Sequence, residues 1–138
     1  MSGQALHRVG YQNIDGIDFS EEMLGYAREK QTYRNLWQED LNALAEIKTG
    51  PYEAIFAAGI ISPSHAKPET IDLGLSALTA NGIMVFSFND HALKDDIFMA
   101  KIGELKKNKN ITFLEEIYGD HIKKLDLKAT VYVIQKFS

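Results

Sequence analysis

The sequence has 138 residues, of which 45% are hydrophobic and 25% charged, and its formal net charge is −4. This length suits one domain with a core and is too short for two. The acidic balance argues against a broad nucleic-acid or anionic-membrane surface, because either partner requires a basic footprint. The chain contains no cysteine, which excludes disulfides, thiolate metal sites and a cysteine nucleophile. We therefore expect a single domain over residues 1–138 in the cytoplasm, without a nucleic-acid or membrane partner.

The first third of the chain alternates patterns of helix and strand. Ser20 is a good N-cap, and Glu21 and Glu22 follow it in the first turn, where the helix dipole favours anions. The predicted elements are the end of a helix at 3–9, a strand at 13–19, a helix at 20–30, a short strand at 33–38 and a brief helical or loop segment at 40–47.

The rest of the chain continues the alternation and then ends on two strands. The predicted elements are a buried strand at 52–58, a loop at 62–68, a helix at 69–78 that Asn81-Gly82 closes, a buried strand at 83–88, a helix at 91–106 and strands at 111–118 and 130–137. Strand–helix alternation predicts a parallel sheet with right-handed crossovers. The last two strands have no helix between them, so we expect them to pair antiparallel at one edge.

Two stretches resemble motifs of the class I S-adenosylmethionine-dependent methyltransferases. Residues 14–27, I-D-G-I-D-F-S-E-E-M-L-G-Y-A, are similar to the family pattern G-x-D-x-S-x-x-M-L-x-x-A of a second strand and its helix. Residues 52–59 and 78–87 resemble the fourth strand and the entry to the fifth. The resemblance implies a Rossmann-like, doubly wound, mostly parallel sheet with an antiparallel C-terminal edge, and S-adenosyl-L-methionine as cofactor.

The resemblance assigns cofactor contacts to two strand ends. Asp18 would present its carboxylate to the two ribose hydroxyls, which suits a vicinal diol; the alternative is that it only caps the strand end. Asp40-Leu41 would contact the adenine, or Asp40 would be an N-cap for the segment after it. The remaining predicted cofactor contacts are Phe19, Met23 and Ala58, although a methionine at helical spacing is more often a core residue.

The substrate would lie near the loops that follow the next two strands. The predicted substrate-side residues are Ile60, Ser62, His65 and Asn89. His65 would accept a proton from a small oxygen or nitrogen nucleophile, or it would simply be solvated. Asn89 or its neighbour Asp90 would alternatively cap the next helix, which we favour. The histidine spacing does not indicate a metal, and we predict none.

One part of the family pattern is absent. The family begins with a strand and a glycine-rich loop that holds the methionine end of the cofactor, and the glycines before Asp18 are only Gly3, Gly10 and Gly16. We expect that the numbered chain begins inside a longer reading frame, or was cut, and lacks the central first strand. Cofactor binding would then be impaired, and the exposed sheet edges would favour a homodimer. A non-catalytic dimeric remnant and an NAD-dependent oxidoreductase remain as alternative functions.

Overall fold

The computed structural model describes residues 6–122 and 127–138. These residues form a mixed α/β structure that divides into two compact units, Met1–Leu44 and Ala45–Ser138. Residues 6–8 are helical, at the end of the helix predicted for 3–9, whose first residues lie outside the described part. Across that part of the chain, no helix combines the length and the apolarity that a membrane crossing requires.

The N-terminal unit contains a strand–helix–strand motif. Strand β1 (Asp15–Asp18) leads into helix α1 (Glu21–Glu29) and then into strand β2 (Asn35–Gln38). The two strands pair in parallel. Helix α1 begins as predicted, because the Ser20 hydroxyl accepts a hydrogen bond from the Met23 N–H at 3.3 Å.

Two contacts fix β1 against the chain that enters β2. The Arg34 guanidinium donates to both carboxylate oxygens of Asp15 at 3.0 and 2.8 Å, a bidentate ion pair. Gly16 lies so close to the side chains of Tyr33 and Leu36 that an added Cβ would stand 2.9 and 2.8 Å from them. The glycine of the G-x-D pattern therefore allows a close approach that places the end of β1 beside β2.

The C-terminal unit is a four-stranded sheet with its helices. It comprises strand β3 (Tyr52–Ala57), helix α2 (Thr70–Ser76), strand β4 (Leu78–Asn89), helices α3 (Asp90–Leu93) and α4 (Asp96–Lys107), and strands β5 (Ile111–Ile122) and β6 (Leu127–Lys136). The strand order is β3-β4-β6-β5. Strands β3 and β4 are parallel, whereas β6 is antiparallel to both β4 and β5. The predicted antiparallel finish is confirmed.

The core of this unit is an aromatic cluster on one face of the sheet. Phe86 and Phe88 of β4 pack against Tyr132 of β6, with ring centroids 5.1 and 5.6 Å apart. Phe98 of α4 meets Phe88 edge-on at 5.5 Å. All three sheet residues are at most 1% exposed, so burial of their rings is the main driving force for the docking of α4 on the sheet.

The predicted start of the strand at 83–88 is wrong. Strand β4 begins at Leu78 rather than at 83, so that Asn81 and Gly82 lie within it instead of closing a helix. The reason is an irregularity in the β3–β4 register: Tyr52 pairs with Leu78 and Ala54 pairs with Ile83, so the intervening residues form a bulge.

The single helix predicted for 91–106 is also wrong, because the chain forms two helices there. Asp95 has extended backbone angles (φ −97°, ψ 122°), and its carboxylate accepts a hydrogen bond from the Ile97 N–H at 2.9 Å. Lys94 therefore ends the first helix, and Asp95 caps the second. Of the two alternatives for 40–47, the structure has the loop, with a turn at 41–43.

Candidate functional site

The carboxyl ends of β1 and β2 lie side by side, with Asp18 paired to Gln38. The backbone carbonyl of Asp18 accepts a hydrogen bond from the Glu39 N–H at 3.1 Å. Its side-chain Oδ1 accepts from the Ser20 N–H at 2.9 Å, and Oδ2 has no hydrogen-bond partner within residues 6–122 and 127–138. Asp18 therefore caps the strand end, as its alternative role predicts, and still has acceptor capacity for a ligand.

A small cleft of about 60 Å³ lies beside Asp18. Its lining comprises Gly16, Ile17, Asp18, Met23, Leu24, Ala27, Tyr33 and Leu36. Met23 is 54% exposed and Phe19 is 70% exposed, so neither is a core residue. The volume is well below the roughly 300–1,000 Å³ of sites that enclose a small molecule, so this cleft can receive only part of one.

Asp40 and Leu41 follow β2 at the same edge. Asp40 is exposed, and its Oδ1 accepts a hydrogen bond from the Asn42 N–H at 3.0 Å. Its backbone carbonyl accepts from the Ala43 and Leu44 N–H groups, both at 3.0 Å. Asp40 thus initiates a turn, and no helix follows it that it could cap.

A second group of predicted residues follows β3 in the C-terminal unit. Ala58 is exposed and Ile60 is 37% exposed. Between them, Gly59 has a positive φ of 77° and donates its N–H to the Ser87 hydroxyl at 2.8 Å. Ser87 is buried in the adjacent strand β4, so this hydrogen bond fixes the point at which the loop leaves the sheet.

The same loop contains a serine–histidine contact. The Ser62 hydroxyl lies 2.9 Å from Nδ1 of His65. Ser62 is buried, whereas His65 is exposed. The backbone closes a turn around the pair, with the Ser62 N–H donating to the Ala66 carbonyl at 3.1 Å and the His65 N–H donating to the Ser62 carbonyl at 3.0 Å. These backbone hydrogen bonds therefore hold the serine–histidine pair within a closed turn.

Asn89 and Asp90 join β4 to the helix that follows. The Asn89 side-chain oxygen accepts from the Ala92 N–H at 3.0 Å, which confirms the predicted N-cap. The carboxylate of Asp90 accepts from the Tyr118 hydroxyl at 2.8 Å and from the Lys128 N–H at 3.2 Å. The hydrogen bond from Tyr118 is the main reason that the pKa of Asp90 lies below its usual value. Within the described ranges, no three acidic or histidine side chains are grouped as metal ligands.

Two residues that contribute to this arrangement were not predicted. Ser87 accepts the hydrogen bond from Gly59, and its only signal in the sequence was a lone hydroxyl within the otherwise apolar run 83–88. Gln38 donates its side-chain N–H to the Phe19 carbonyl at 3.1 Å and so ties the loop after β1 to β2. The structure thus places the predicted contacts in two groups, one per unit: Asp18, Phe19, Met23, Asp40 and Leu41, and then Ala58, Ile60, Ser62, His65 and Asn89.

Methyltransferases are among the solved structures that resemble this chain. The N-methyltransferase NodS from Bradyrhizobium japonicum superposes with a TM-score of 0.63 at 12% identity, over 99% of this chain and 95% of that one. A Listeria monocytogenes protein proposed to be an S-adenosylmethionine-dependent methyltransferase gives 0.70 at 15% identity, over 97% and 84%. The O-methyltransferase TomG from Streptomyces achromogenes, solved with S-adenosylmethionine, gives 0.60 at 12% identity, over 91% and 62%.

The fold is that of the class I S-adenosylmethionine-dependent methyltransferases. No protein-family model matches the sequence, and a search of curated proteins finds no match. The class I assignment therefore rests on the structure, together with the G-x-D-x-S pattern that ends at the N-cap of α1. It confirms the fold that the sequence resemblance implied.

Proposed function

We propose that this chain is a methyltransferase that binds S-adenosyl-L-methionine and methylates an oxygen or nitrogen atom of a small molecule. The observation that carries the proposal is Asp18, whose carboxylate lies at the carboxyl end of a parallel strand beside a cleft, in a class I fold. In open α/β sheets, ligands bind outside the carboxyl ends of the strands.

The residues around Asp18 fit the nucleoside part of this cofactor. Oδ1 is already an acceptor for the Ser20 N–H, and the remaining lone pairs can accept from a ribose hydroxyl. Met23 and Phe19 offer apolar surface for the ribose and adenine, and Asp40 and Leu41 follow the neighbouring strand at the same edge. When bound, the cofactor supplies an electrophilic sulfonium methyl group.

We propose that the substrate contacts Ile60, Ser62, His65 and Asn89, and that Ala58 contacts the cofactor. Methyl transfer depends mainly on placing the nucleophile in line with the sulfonium, so a fixed loop matters more than an elaborate acid–base network. The net charge of −4 favours a small molecule over a nucleic acid. The prediction that His65 accepts the proton of the nucleophile is untested.

Calorimetry with S-adenosylhomocysteine tests the cofactor. We expect binding that is weak, because the cleft beside Asp18 has a volume of only about 60 Å³. Asp18→Asn keeps an oxygen for the Ser20 N–H but removes the charge, and a hydrogen bond to a charged group contributes about 1.5–3 kcal/mol. The variant should therefore bind about 10- to 150-fold more weakly.

The matched control is Glu22→Gln, which removes an exposed carboxylate from the first turn of α1. It should leave the affinity unchanged. Binding of NAD instead of S-adenosylhomocysteine would support the oxidoreductase, and binding of neither would support a non-catalytic remnant.

We further propose that the chain forms a homodimer in the cytoplasm. Among the strands that the structure describes, β3 and β5 are the outer strands of their sheet, and β1 and β2 each have one neighbour. Such edges present backbone groups that a second copy can pair with. The absence of cysteine is compatible with a reducing compartment. Analytical ultracentrifugation over a range of concentrations tests the dimer, and a single monomeric species at all of them would exclude it.

A further inference from the structure

The contact between Ser62 and His65 restricts where the imidazole carries its proton. Ser62 Oγ and His65 Nδ1 are 2.9 Å apart, so one of them donates a hydrogen to the other. The turn that encloses them is closed by backbone hydrogen bonds, including one from the Ala66 N–H to the Ile60 carbonyl at 2.9 Å. The pair is therefore held together without any ligand.

The direction of the hydrogen bond follows from the burial of Ser62, which is only 5% exposed. Within residues 6–122 and 127–138, Nδ1 of His65 is the one hydrogen-bond partner of the Ser62 hydroxyl. If Nδ1 carried the proton, it would donate to Oγ, and the hydroxyl hydrogen would remain buried without an acceptor. Buried donors without acceptors are rare because they are costly. The hydroxyl therefore donates to Nδ1.

We propose that Ser62 is a positioning residue that, in the neutral form of His65, keeps the ring proton on Nε2. In this tautomer Nε2 is a hydrogen-bond donor. This inference rests on the proposed function, and within it His65 would bind an acceptor oxygen of the substrate instead of taking its proton. The substrate class is a small molecule with a carboxylate or carbonyl oxygen near the atom that is methylated.

Long-range ¹H–¹⁵N NMR on ¹⁵N-histidine-labelled protein reports the tautomer directly, whether or not the protein is active. Spectra are recorded about two pH units above the ordinary imidazole pKa of about 6.5, and the His65→Gln variant assigns the resonances. We expect the proton on Nε2. In Ser62→Ala, loss of one hydrogen bond should lower the ratio of the Nε2–H to the Nδ1–H form about three- to tenfold.

Ser64→Ala is the matched control, because Ser64 is an exposed serine of the same loop. It should leave the ratio unchanged. A proton on Nδ1 in the unmodified protein would overturn the proposal and support the proton-acceptor role instead. An unchanged ratio in Ser62→Ala would overturn it too. Failure of cofactor binding would leave this spectrum as expected, so the two proposals fail separately.

A panel of methyl acceptors tests the substrate class. Acceptors with a carboxylate or carbonyl oxygen near the nucleophile should be preferred, and Ser62→Ala should raise their KM more than it lowers kcat, since it weakens binding in both states. Equal turnover of acceptors that lack such an oxygen would contradict the proposed substrate class.

Discussion

Two helical glycines of the C-terminal unit should respond in opposite directions to the same substitution by alanine. Alanine is favoured over glycine in a helix interior by about 0.8–1.0 kcal/mol. At Gly103 of α4, no atom lies within 4 Å of an added Cβ, so Gly103→Ala should stabilise the protein by about that amount. Gly103 therefore measures the backbone effect without a change in packing.

At Gly74 of α2, an added Cβ would stand 2.7 Å from both Sδ and Cε of Met84. Met84 is only 1% exposed, so its thioether can move only by displacing other core atoms. Overpacking of this kind costs about 1–3 kcal/mol, which cancels or exceeds the gain in helix propensity. Gly74→Ala should therefore destabilise the protein by about 0–2 kcal/mol, and the two variants should differ by about 1–3 kcal/mol.

Urea denaturation followed by far-ultraviolet circular dichroism measures both changes, with an unchanged m-value as the condition for comparing midpoints. Combining Gly74→Ala with Met84→Ala should cost less than the sum of the two single changes, because truncation of Met84 removes the clash. If Gly74→Ala were as stabilising as Gly103→Ala, α2 would not pack against β4 as the structure has it.

Three further outcomes follow from hydrogen bonding and burial. Ser87→Ala should cost about 1–3 kcal/mol in urea denaturation, since it leaves the Gly59 N–H without its acceptor. Burial alone would lower the pKa of Lys101, but Asp72 and a second acidic neighbour outweigh this effect and raise the pKa above 10.5. The ion pairs therefore stabilise the protein below pH 10.5, and this part of the free energy of unfolding should be lost as pH rises through the pKa of the folded state. Lys101→Met should reduce that loss. Burial, with a smaller effect of a nearby carboxylate, raises the pKa of Tyr132 to about 12. Ultraviolet titration should therefore show one phenol that ionises at higher pH than the others. Tyr132→Phe should also reduce the loss of stability at alkaline pH.

The parts of the fold that the sequence predicted correctly are specified by short-range signals. The N-cap at Ser20 and the acidic residues after it place the start of α1 within one residue of the prediction. The continuous apolar pattern of β3 and the missing helix between the last two strands were enough for the parallel and antiparallel pairings.

The parts that were mispredicted depend on tertiary pairing or on competing local signals. Asn81-Gly82 is a strong turn signal. However, β4 already pairs with Tyr52 before these two residues, which therefore lie in a bulge of the strand. Within the predicted helix at 91–106, both Asp95 and Asp96 can start a helix, and hydrophobic periodicity alone does not register the interruption between α3 and α4.

In the candidate site too, contacts between residues close in sequence could be predicted, whereas contacts that depend on strand pairing could not. Asp18 and Ser20 are two residues apart, so their hydrogen bond is available to any chain that turns from strand to helix there. Gly59 and Ser87 are 28 residues apart, and only the parallel pairing of β3 with β4 brings them together. Motifs can therefore predict which side chains carry the chemistry, but the loop that contains His65 is fixed by a hydrogen bond between residues far apart in the sequence. For this reason the direction of the Ser62–His65 hydrogen bond, which determines whether the ring donates or accepts, follows from burial and from no feature of the sequence.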